Sequence, residues 1–194
     1  MKLSGSQIIG LNPLSGDFLE QLRAGRADIA VYPLDTVPKD FHRLELYQSR
    51  RGILVRQGHP LIKKYEKAGR IELDDLRAFK HVMMNLPGTP ELSPAAYQQY
   101  SFEVGISLPY FLGVPYVLAD TDYVYIGPVV TLMHCLRLPD CNLRVLPAPP
   151  EVSPFTPAII WHHGAHTDPF LQWVRGVLLQ SAREEAKRYN AIEI

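Results

Sequence analysis

Short apolar runs that read as strands alternate with capped, amphipathic runs that read as helices, and this alternation constrains the fold most. Strand signals fall at 7–11, 28–32, 44–47, 52–56, 81–84, 102–107, 123–126, 143–146 and 157–161. Helix signals fall between them. At 15–24, Phe18, Leu19 and Leu22 share one face, Ser15 or Asp17 caps the start, and Gly25 stops the end. At 72–79, Leu73, Leu76 and Phe79 recur every three residues. Ser93-Pro94 opens another helix, with serine at the cap and proline at the first helical position. Further helices are expected over 107–119, 129–136 and 168–189, with a bend at Pro115, which removes a helix hydrogen bond. The pattern implies an α/β fold with largely parallel sheets.

Composition narrows the function. The chain has 194 residues, with 20 Lys and Arg against 20 Asp and Glu. That balance argues against a nucleic-acid binder of the basic-patch kind. Prolines number 17, about twice the usual ~5 %. They are spread along the chain, so they punctuate a fold. No apolar run approaches the ~20 residues of a membrane helix. The first seven residues lack the apolar stretch of a signal peptide, so the cytoplasm is the expected compartment. There, Cys135 and Cys141 are expected as two reduced thiols, one at a helix end and one in a loop.

No nucleophile elbow, phosphate-binding loop or dinucleotide fingerprint is present in the sequence. Catalysis is therefore not expected, and no cofactor is implied. His162, His163 and His166 near Asp168 have the residue types of a zinc site. Adjacent histidines in a strand point to opposite faces, however, so no metal is expected. His59, before Pro60, reads as a structural turn. Asp120 and Asp122 read as solvated turn carboxylates. Arg50 with Arg51, and Lys63 and Lys64 with Lys67, read as solvated faces. On the last helix Phe170, Trp173, Val174, Val177 and Leu178 form an apolar face expected to pack on the core, ahead of an exposed, charged tail over 182–187.

Several stretches, taken in order, resemble the LysR-type transcriptional regulators. The leucine-rich run from Phe18, followed by Gly25, Asp28, Ile29 and Ala30, is similar to one element of that family. Leu54-Val55 followed by His59-Pro60-Leu61 resembles another, and Leu73-Asp74-Asp75-Leu76 followed by His81-Val82 a third. The run from Ser107 to Pro115, Asp120 with Asp122, and Trp161-His162 followed by Asp168-Pro169 and Trp173-Val174-Arg175 resemble the branch that responds to aromatic compounds.

The resemblance implies the effector-binding domain, built like a type 2 periplasmic binding protein with a cleft between two lobes. The lobes would be 1–56 with 161–194, and 57–160. It implies a small-molecule effector, aromatic or carboxylated, a homodimer or tetramer, and no membrane. DNA would be contacted only through an N-terminal winged helix-turn-helix, for which no pattern precedes Met1. A strand and a helix that normally open the domain are also expected to be missing ahead of 7–11. The Pro-Arg of the family is replaced by Pro128-Val129.

Carried over onto this chain, the effector-binding candidates are Asn12, Tyr32, Pro33, Asn85, Leu86, Pro109, Tyr110, Phe111, Tyr125 and Ile126. The amides over 107–111 would open a helix and receive a carboxylate, less the donor lost at Pro109. Tyr32, Tyr110, Phe111 and Tyr125 would enclose an aromatic ring, or equally fill the lobe interface as core. A solute-binding protein of a transport system, or less readily a bilobal enzyme, would use the same fold.

Overall fold

The computed structural model describes residues 18–34, 36–84, 94–152 and 154–190. In chain order its elements are α1 (Phe18–Arg23), β1 (Ala30–Tyr32), β2 (Phe41–Glu45), β3 (Arg51–Arg56), α2 (Pro60–Ala68), α3 (Leu73–Arg77), β4 (Lys80–Met84), α4 (Pro94–Gln99), β5 (Glu103–Leu108), α5 (Val114–Ala119), β6 (Tyr125–Pro128), α6 (Val129–Cys135), β7 (Leu143–Pro147), β8 (Ala158–His162) and α7 (Pro169–Asn190). The strand expected over 7–11 lies outside the described residues, and the helix expected over 15–24 is described from residue 18 as α1.

The strands divide between two lobes. In the first, β8 lies between β1 and β2, antiparallel to both. Its Ala158, Ile159 and Ile160 are fully buried, as befits a central strand of a β-branched run. In the second, β3 lies between β6 and β7, antiparallel to both, and β4 pairs in parallel with β5. Val124, one residue before β6, exchanges hydrogen bonds with β4 at 2.9 Å each way, through Val82 N–H and the Lys80 carbonyl. This joins the strands in the order β5-β4-β6-β3-β7. The side chains of β3 alternate across the sheet. Ile53 and Val55 meet Leu61, Leu76 and Tyr97 on one face, and Leu54 meets Val114, Leu118 and Leu132 on the other.

Most helix and strand types agree with the sequence reading, but the neighbours differ. Most strand pairs among the described residues are antiparallel, not parallel. Alternation along the chain orders the elements without choosing which strands become neighbours. Residues 51–56, expected at the end of the first lobe, pair as β3 with β6 and β7. Residues 46–50 lead into β3 and residues 154–157 into β8. Ser49 and Phe155 hold these two segments together, each amide donating to the other's carbonyl at 2.8 and 2.9 Å.

Three local expectations are corrected. His59 opens a helix instead of a turn: its Nδ1 accepts the Leu61 N–H at 3.2 Å, Pro60 sits in the first turn, and Gly69 ends α2 at φ 71°. The single helix expected over 107–119 is strand through Leu108, a 3-10 turn over Phe111–Gly113, and then α5. Pro115 therefore lies in the first turn of α5, where its missing N–H is not needed, and no bend follows. The inward stripe of α7 is rotated from the one expected. Phe170 and Val177 are 45 % and 43 % exposed, whereas Leu178, Leu179 and Ala182 pack on Leu46, Ile159 and Trp161. Further along, Ala186 and Tyr189 are buried inside the charged tail, with Tyr189 against His134 of α6.

Candidate functional site

Parallel strands end where a cleft forms, because the loops that follow them splay apart. Here β4 ends at Met84 and β5 at Leu108. Two candidates read from the sequence meet at this corner: the Phe111 and Tyr125 rings are 5.6 Å apart and tilted by 52°. The Tyr125 hydroxyl reaches Met84 Sδ at 3.7 Å. Gly127 makes room for the ring, since a Cβ there would lie 2.5 Å from its Cε1. Pro109 and Tyr110 lie exposed on the bend between β5 and the 3-10 turn.

The remaining candidates are placed elsewhere. Ile126 points to the opposite face of the sheet from Tyr125 and is 2 % exposed among Ile53, Val124 and Leu146. Tyr32 packs inside the first lobe, 5.1 Å from the Phe18 ring, and Pro33 follows it half-buried. Asn12, Asn85 and Leu86 lie outside the described residues. The anion-receiving amides expected over 107–111 are redistributed: Ser107 and Leu108 belong to a strand paired with β4, so no helix opens there.

Arg51 is the residue that the sequence reading missed. Read as part of a solvated pair, it is 5 % exposed, whereas Arg50 stays exposed. The signal available was position: as the first residue of a buried strand, Arg51 shares a face with Ile53 and Val55. Its guanidinium lies over the Phe155 ring at 5.1 Å. It lines a concavity of about 590 Å³ together with Gln48, Arg50 and residues 147–150, 152 and 154. Burial pushes the Tyr97 and Tyr125 phenols above the ordinary tyrosine range, and the Arg51 charge opposes that shift in both. The two phenols therefore stay protonated near neutral pH and act as donors.

A family model for the LysR substrate binding domain matches residues 13–183. The chain belongs to that family. It is 27 % identical over 179 residues to the HTH-type transcriptional regulator SyrM of Rhizobium meliloti (strain 1021), covering 88 % of this chain and 52 % of that protein. Nodulation protein D 1 of Rhizobium tropici is 27 % identical over 176 residues, with 88 % and 54 % covered. The chain thus spans about half the length of the curated relatives it matches. Among solved structures, the regulatory domain of MexT, a transcriptional activator in Pseudomonas aeruginosa, aligns with a TM-score of 0.65 at 22 % identity over 83 % of this chain and 77 % of that one. The reduced form of the OxyR regulatory domain from Pseudomonas aeruginosa aligns at 0.67 and 16 %, covering 87 % and 78 %. These identities establish the fold, the α/β two-lobed form expected.

Within this LysR-type domain the histidines of the 162–166 segment build a stack. His42 of β2 lies between partners, 4.1 Å from the His166 ring and 5.3 Å from Trp161, and shares a 3.0 Å hydrogen bond with His163 Nδ1. Trp161 Nε1 donates to His166 Nδ1 at 3.3 Å. An indole N–H is only a donor, so that imidazole nitrogen must keep its lone pair. Arg175 closes the stack, 4.5 Å from the Trp161 ring, donating to the Ala165 and His166 carbonyls at 3.2 and 2.9 Å. Among the described residues, no group of three His, Cys, Asp or Glu side chains is arranged to hold a metal ion. Cys135 and Cys141 are both free and buried, at the end of α6 and in the loop before β7. Burial pushes the Cys135 thiol up to about 11, which leaves little thiolate at neutral pH.

Proposed function

We propose that this chain is the effector-sensing domain of a LysR-type transcription regulator. It binds a small molecule between its lobes and passes a change in lobe angle to an attached DNA-binding region. The observation that carries this reading is the match to the LysR substrate binding domain over residues 13–183, with Phe111, Tyr125 and Met84 meeting where β4 and β5 end. The effector site is assigned to Pro109, Tyr110, Phe111 and Tyr125 on the second lobe. Asn12, Asn85 and Leu86 stay with the site as positions carried from the family pattern, whereas Tyr32 and Ile126 pack in separate apolar clusters away from it. The domain acts in the cytoplasm as a homo-oligomer, without catalysis, and reaches DNA only through another part of the regulator.

The mechanism is a population shift. An effector moves the lobe equilibrium only by its differential affinity for the two arrangements, and a swing from 1:99 to 99:1 takes about 10⁴-fold. Native mass spectrometry of the chain purified from its own cells tests the reading. A small-molecule adduct is expected, with occupancy falling in Phe111→Ala. Absence of any adduct counts against sensing, and unchanged occupancy in Phe111→Ala moves the site away from this corner.

A further inference from the structure

The last helix is long enough to belong to both lobes. The 22 residues of α7 span about 33 Å at the rise of an α-helix. Leu178, Leu179 and Ala182 seat its middle on Leu46, Ile159 and Trp161 of the first lobe. Arg183 Nε then donates to the Leu46 carbonyl at 3.4 Å, and Ala186 lines one groove with residues 46–48, which lead into β3. The final turns reach α6, which packs on β3, β6 and β7 of the second lobe. There the Tyr189 ring lies 5.2 Å from the His134 ring at 61°, and Glu185 Oε1 lies 3.9 Å from His134 Nε2. Positions 178, 182, 185 and 189 recur every three or four residues, so one face of a continuous helix meets both lobes.

Tyr189 makes the far contact a balanced one. Its side chain is 2 % exposed, and its hydroxyl is buried with no hydrogen-bond partner among the described residues. Docking therefore gains the burial of a ring and gives up the water that the phenol binds when released. Phenylalanine would gain the same burial without that loss. We propose that α7 is a latch between the lobes: with Tyr189 docked on α6 the lobes hold one angle, and its release lets them take another. The proposal rests on the population-shift reading above and names the contact that such a shift breaks. A helix seated on one lobe along its middle cannot follow the other lobe through a change of angle, so the contact at its far end gives first.

Hydrogen exchange and spin-label distances on the whole chain, without effector, test this. Tyr189→Phe is expected to slow exchange of amides 186–190 about fivefold or more, and Tyr189→Ala to speed it about tenfold or more, with amides 178–182 unmoved in both. Labels at the exposed positions Lys39→Cys in the first lobe and Lys67→Cys in the second read the angle, since both native thiols are buried. Tyr189→Ala should add a second distance to the distribution, and Tyr189→Phe should leave a single one. Faster exchange at 186–190 in Tyr189→Ala with an unchanged distance distribution makes Tyr189 a helix-end contact and overturns the latch. Exchange in Tyr189→Phe as fast as in the parent, or faster, overturns it as well. If Tyr189→Ala does not fold, His134→Ala removes the other side of the contact and should add the same second distance; its absence sinks the proposal. The sensing reading stands or falls separately, on the co-purified adduct and on Phe111→Ala.

Discussion

Histidines in the two lobes live under opposite conditions. In the second lobe His81 is fully buried, stacked on Phe102 at 4.2 Å, with Nε2 donating to the Leu76 carbonyl at 3.1 Å. Its Nδ1 has no hydrogen-bond partner among the described residues. Burial pulls this imidazole down to about 4. In the first lobe His42, His163 and His166 stack near the surface, their nitrogens paired with one another and with Trp161. Burial, then the neighbouring His166, His163 and Arg175, lower the His42 imidazole. The contrast teaches that the second lobe excludes water from its sheet face, while the first lets imidazoles compete with it.

Opening the sealed side should have the largest effect. Phe102→Ala removes the ring over His81 and is expected to cost about 3–4 kcal/mol in denaturant unfolding. The His81 midpoint, followed by imidazole NMR, should rise from about 4 toward 6.5 as water enters. A midpoint that stays put would show that the exclusion comes from elsewhere.

The next effect is pH itself. A histidine lowered in the folded state takes up protons more readily when unfolded. Its stabilisation is therefore complete above 6.5 and is lost as pH falls toward the folded value of about 4. The loss should reach about 2 kcal/mol at pH 5 and about 3 kcal/mol at pH 4. Unfolding free energies at those pH values check it, and His81→Phe should flatten the slope.

On the first lobe, Arg175→Met strips a cation from the Trp161 ring and removes one donor each from the Ala165 and His166 carbonyls, the latter keeping Gln172 Nε2. About 2 kcal/mol is expected, read from the same unfolding curves. The smallest effect belongs to His42. Protonation should change Trp161 emission with a midpoint below 6.5, the direction set by its lowered affinity for protons. His42→Gln should remove that transition with little change in melting temperature. A transition that persists would show that His42 is not its source.

Much of this was readable in the chain. The 81–84 and 143–146 runs were placed within one residue, because short apolar runs between turn signals have few other homes. The order of motifs carried the family. Of the residues named for the candidate site, Phe111 and Tyr125 have rings that meet, since each follows or forms a strand end. Tyr32 was named by the same logic and packs in the first-lobe core, because an apolar strand end facing a lone helix is covered by it. The α7 stripe was misjudged for a related reason. Two apolar stripes were available, and the packing of Leu46 and Trp161 chose between them.

Arg50 and Arg51 mark the boundary most clearly. Residue chemistry, local periodicity and caps are properties of neighbours along the chain, so the sequence alone settled most element types, the α/β class and the family. Which arginine meets water is a property of neighbours in space. It was set only when β3 settled between β6 and β7, burying its first residue Arg51 and leaving Arg50, one residue before the strand, exposed. The same pairing put a buried positive charge beside the Ser49–Phe155 bridge.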